Sequence, residues 1–86
     1  MRDDTQSELL NLIRNEINLG FTFMETYHLA SSAEHSAQAL SGAQASLRTA
    51  KKFLEKLTEA EARAFEPDLQ KLESVIASAE KASTQY

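Results

Sequence analysis

The sequence predicts an all-α protein, an up-down-up antiparallel three-helix bundle with left-handed packing. Two heptad seams carry that expectation. Ser36, Leu40, Ala43, Leu47, Ala50, Leu54 and Leu57 recur at alternating spacings of four and three, and Ala62, Phe65, Leu69, Leu72, Ile76 and Ala79 do the same. Such spacing keeps one apolar stripe on one side of a helix, and stripes of this kind pack at shallow crossing angles. The third observation is a broad apolar arc on the segment before them. No segment alternates in the period-2 manner of a strand. The helices are expected at about residues 7–30, 33–57 and 59–81 of a single domain spanning 1–86.

Helix 1 carries a central stripe of Leu9, Leu10, Ile13, Ile17, Gly20, Met24 and Tyr27. Leu12, Leu19, Phe23 and Ala30 form a second line beside it, and Phe21 extends the opposite edge. At about 100° per residue the arc covers more than half the helix. This helix should therefore touch two neighbours, either both inside the monomer or one across a dimer interface. Residues 1–6 read as a frayed lead-in. Gly20 replaces a larger residue in the stripe and is expected to face Ala43, so that two backbones approach closely.

Helix 2 is thin. Between Ala30 and Ala50 its large hydrophobes are Leu40 and Leu47, and alanine and serine fill most other places. Ser31 with Glu34 is the preferred capping box for its start, and Ser41 with Gln44 is the alternative. Gly42 lies off the seam and is expected to be exposed. Leu54 belongs to the seam, whereas Phe53 points away and wants a second contact surface. Thr58 and Glu61 form the clearest capping box, so helix 3 starts at once and runs back along helix 2. Pro67 should bend helix 3, because it lacks the amide that would bond Arg63. Phe65 and Leu69 anchor its seam. Lys51 is expected opposite Glu66, one of three glutamates spaced by seven with Glu73 and Glu80.

Composition narrows function more than it names it. The net charge of −4 works against nucleic acid as a partner, and Arg48, Lys51, Lys52 and Lys56 spread over a wide arc beside Glu55. No apolar run approaches the roughly 20 residues of a membrane span, and the charged start Met1-Arg2-Asp3-Asp4 does not read as a secretory signal. Cytoplasm is the expected compartment. There is no cysteine, no glycine-rich phosphate loop and no His-Glu-x-x-His element, so no catalytic residue or cofactor is assigned. Glu16 sits within the apolar arc and reads as a boundary residue reaching solvent.

The leading functional expectation is a non-enzymatic helical interaction or adaptor module, with a homodimer or a protein or peptide as partner. Leu12, Leu19, Phe23 and Phe53 are its candidate contact residues, and Gly20, Ala43, Leu54, Phe65 and Leu69 its packing residues. The alternative is a small metal- or ligand-binding helical protein. Glu25, His28, Glu34 and His35 flank the first turn and would supply ligands, although Glu-x-x-His spacing occurs only once, at Glu25–His28.

In helical pattern the chain resembles small bacterial helical proteins. Leu19-Gly20 followed by Phe23 is similar to the opening of tetratricopeptide-like hairpins. Glu16 and Ser36 stand where that pattern has aromatics, Gln44 stands where it has proline, and no second copy follows. The chain length and helix count also resemble the microtubule-interacting-and-trafficking type of three-helix bundle. Both resemblances imply peptide docking in a groove between helices, and neither transfers a binding residue.

Overall fold

The computed structural model describes the backbone of residues 2–83 and the side chains of residues 7–82. Those residues form three α-helices: α1 (Arg2–Leu29), α2 (Ala33–Leu54) and α3 (Glu59–Ser83). The helix α1 begins five residues earlier than expected, since residues 2–6 contain no proline or glycine to interrupt it. Among the described residues no helix is long and apolar enough to cross a membrane.

Helix α2 is capped by Ser32, one residue beyond the expected Ser31. Its backbone is extended at φ −135° and ψ 155°, and its hydroxyl accepts a hydrogen bond from the His35 amide at 3.2 Å. The Ser36 amide bonds the Ser32 carbonyl, closing the first turn. At the other end α2 stops at Leu54 instead of Leu57. The Lys56 amide bonds the Phe53 carbonyl and the Leu57 amide bonds the Leu54 carbonyl, both at 3.0 Å, so the last turn tightens to i→i+3 geometry. The capping box that opens α3 is formed as its sequence spacing predicts. The Glu61 amide donates to Thr58 Oγ1 at 3.3 Å, and the Thr58 amide donates to Glu61 Oε1 at 3.1 Å. Helix α3 continues through Pro67 as a single helix, with the proline on its exposed side.

Cross-helix partners give the chain path. Lys51 pairs with Glu73 and Gln44 with Glu80, so α2 and α3 run in opposite directions. The pairing corrects the expected Lys51–Glu66 contact: the register that also joins Gln44 to Glu80 sets Lys51 about two turns further along α3, at Glu73. Two core clusters lie end to end. One holds Ile13, Ile17, Ala50, Phe65 and Leu69; the other holds Met24, Leu40, Ala43, Leu72, Ile76 and Ala79. Early α1 thus meets late α2 and early α3, and late α1 meets early α2 and late α3. Helices α1 and α3 are parallel to each other and antiparallel to α2.

Both glycines differ from expectation. Gly20 is buried, but it faces α3: a Cβ there would lie 2.6 Å from Leu72 Cδ2, so it is the fully buried Leu72 that occupies the missing side chain's place. Ala43 is fully buried elsewhere in the α1–α2 seam. Gly42 is half-buried rather than exposed, and the Phe23 ring lies over it, 2.7 Å from where a Cβ would stand. The extra width of α1 therefore has an intramolecular use, because Phe23 wraps the flank of α2.

Candidate interaction surfaces

The residues singled out on the outer line of α1 fall into two groups. Leu12 and Leu19 are 45% and 44% exposed. Seven residues apart, they stand on one side of α1, roughly 10 Å from each other along its axis. Phe23 and Phe53 are half-buried and belong to the fold instead. Phe23 packs on the cluster around Ala43, and Phe53 on the cluster around Ala50, with the Lys56 ammonium 5.7 Å from its ring centroid. Among the packing residues, Ala43, Phe65 and Leu69 are buried and Leu54 is half-buried against the cluster around Ala50. Leu29, 84% exposed at the end of α1, is a further apolar residue that periodicity did not single out.

The candidate ligand set does not converge. Glu25, His28, Glu34 and His35 are all exposed, and no group of three or more His, Cys, Asp or Glu side chains is gathered for a metal ion among the described residues. The His28 ring instead stands edge-on to Tyr27, with centroids 5.4 Å apart and planes at 79°. Glu16 is half-buried at the rim of the apolar arc.

A different surface emerges from the relation of α1 to α3. The two parallel helices are held apart by large core side chains, and three open clefts follow one another along the groove between them. The lowest, of about 300 Å³, lies over Leu10, Ile17 and Phe65, with Arg14, Asn18, Glu61 and Asp68 at its rim. The next, of about 620 Å³, shares Asn18 and lies over Phe21, Met24 and Val75 beside Glu25 and His28. The third, of about 450 Å³, shares His28 and Val75 and ends at Ser78, Ala79 and Ala82. From Leu10 to His28 the groove follows α1 for roughly 27 Å. Its floor is apolar throughout and its walls are polar.

The groove on the other side of α3 is built differently. There the Lys51–Glu73 ion pair and the Gln44–Glu80 hydrogen bond bridge the two rims above Leu47 and Ile76. Across the α1/α3 groove, the Tyr27 hydroxyl donates to the Ala79 carbonyl at 3.4 Å, tying the upper end together.

Seam periodicity pointed away from this groove, yet a signal for it exists. Glu61, Ala64, Asp68, Val75, Ser78 and Ala82 fall on one heptad-spaced row of α3, adjacent to the core row and filled mostly by small or short residues. Short side chains on a flank leave room above the neighbouring core residues. No protein-family model, no curated protein and no solved structure matches this chain.

Proposed function

We propose that the protein is a non-enzymatic helical protein–protein interaction module whose docking surface is the groove between α1 and α3. The observation that carries this is the end-to-end run of three clefts over an apolar floor. A helix buries one apolar stripe in such a groove and leaves its polar face outside. A displayed library of peptides about 18 residues long, enough to span the groove as a helix, is the test. It is panned on the wild-type protein and on Ala64→Trp, whose exposed position would place an indole in the lowest cleft. Enriched peptides should bind the wild type and fail on the variant while its helical circular dichroism is unchanged. Peptides that bind both equally would place docking elsewhere.

A second reading, self-association through α1, is favoured by the exposure of Leu12 and Leu19 on a face that neither α2 nor α3 covers. Light scattering across a wide concentration range decides it. A dimer that Leu12→Asp with Leu19→Asp converts to a helical monomer supports the reading, and a wild-type monomer at every concentration rejects it.

A further inference from the structure

We infer that α3 is exchangeable, its second seat being the α1–α2 hairpin of another copy of this chain. It reaches that seat when α2 and α3 join into one continuous helix. The connection between them is the first argument. Glu55, Lys56, Leu57 and Thr58 include no glycine or proline to enforce a turn. Glu55 keeps helical backbone at φ −62° and ψ −19°, and the Lys56 and Leu57 amides bond back to the Phe53 and Leu54 carbonyls. The helical path is broken where Leu57 meets Thr58, and the Thr58–Glu61 capping box stabilises that break.

Phase is the second argument. Leu54, at the end of α2, and Phe65, the first large seam residue of α3, are about three helical turns apart. In one straight helix from Ala33 to Ser83, every seam residue from Leu40 to Ala79 except Ala62 falls within about 60° of one line. A turn can join two stripes at many relative phases, and this one joins them at the phase of a continuous helix. Register is the third argument. Lys51 with Glu73 and Gln44 with Glu80 belong to one antiparallel register, whose midpoint is Ala62. On the straight helix Ala62 shares the flank of those four residues, within about 20° of each. Two such helices related by a twofold axis at Ala62 remake both pairs between chains, and the small side chain lets them approach there. The contacts of α3 are then kept and only the chain that supplies them changes. Closure within one chain favours the monomer, so concentration drives the exchange.

The chain has no cysteine, so thiols can be placed at will. Lys51→Cys and Glu73→Cys are made as separate proteins, mixed, unfolded in urea and refolded together at about 1 mM and about 1 μM. A short bismaleimide should then link the two proteins into a covalent dimer at the higher concentration. Neither protein refolded alone should link, because each position meets the other and not itself. Thr58→Ala should tighten the dimer by about 25-fold, about fivefold for each of the two capping boxes lost. Insertion of Gly-Gly between Leu57 and Thr58 should abolish the dimer with helical circular dichroism retained. Leu12→Asp with Leu19→Asp should leave the dimer intact. By light scattering after the same refolding, a monomer at about 1 mM for both the wild type and Thr58→Ala would overturn the inference. So would a dimer that does not link, or one that the Leu12 and Leu19 substitutions abolish, since either places the contact on α1. A linked dimer that survives the glycine insertion would overturn the continuous helix.

Discussion

Along α1 and α2 the helices meet through Ala39, Ala43, Ser46 and Ala50 on the α2 side, whereas α3 meets both through Phe65, Leu69, Leu72 and Ile76. The α1 and α2 backbones accordingly run closer together along their length than either runs to α3. Small residues let two backbones approach, and the large residues of α1, such as Ile13 and Met24, fill the space over them. Large residues on α3 act as a wedge that fills the core and holds the third helix away. The difference explains why the open groove lies beside α3 and not between α1 and α2. It also shows that burial and closeness are separate quantities: Leu72 and Ala43 are both fully buried, one in a wide seam and one in a narrow seam.

The strongest test of the wedge is Leu72→Ala. Leu72 lies against Gly20 and touches no solvent, so truncation removes apolar contact and leaves a cavity under α3. The expected loss is about 3–5 kcal/mol by urea denaturation, a large part of the stability of a domain this size. A loss below about 1 kcal/mol would show that α3 does not depend on this wedge. The narrow seam is tested in the opposite direction. Ala43→Leu should cost about 1–3 kcal/mol through overpacking, while Ala45→Leu, exposed on the same helix, should stay within about 0.5 kcal/mol of wild type. Equal effects would mean that the α1–α2 seam has slack.

Gly42 sharpens the comparison at the edge of the narrow seam. Alanine is the better helix former by about 1 kcal/mol, but its Cβ would meet the Phe23 ring. Gly42→Ala should therefore bring little or no gain in the wild type and stabilise by about 1 kcal/mol in a Phe23→Ala background. Thermal melts of the four proteins in that cycle give the coupling, and additivity would show that the ring does not depend on the glycine. The smallest effect is expected at the bridge over the α2/α3 groove. Lys51 and Glu73 have side chains 53% and 41% exposed, so Lys51→Ala should cost no more than about 1 kcal/mol. That cost should shrink further in about 1 M salt. A larger, salt-independent loss would mean that the bridge, and not the wedge, holds α3 to α2.

Much of this architecture is visible in residue order. The two heptad seams locate α2, α3 and most of the core, since a stripe that recurs every 3.5 residues has to be buried along its length. Thr58 and Glu61 mark the start of α3 because a capping box is a contact between residues three apart, complete within its own sequence. The start of α2 was legible only to within one residue. Ser31 and Ser32 offer the same hydroxyl, and the direction in which the chain leaves α1 selects between them.

What the chain order leaves open is which neighbour each flank meets. Gly20 and Ala43 are small residues on facing stripes, and their types alone suggest a mutual contact; Leu72, more than fifty residues along the chain from Gly20, takes the place instead. Phe23 and Leu19 share one line of α1, yet Phe23 finds the gap at Gly42 and Leu19 stays nearly half exposed. The candidate groove belongs to the same class of property. Its walls are separate rows of α1 and α3, neither apolar enough to stand out alone, and they face each other only because the seams set α3 parallel to α1. Helix formation, capping and stripe position depend on residues within a few turns of one another and so are written in the sequence. The spacing between helices, and the cleft it opens, follows from the side chains of three distant segments packed at once.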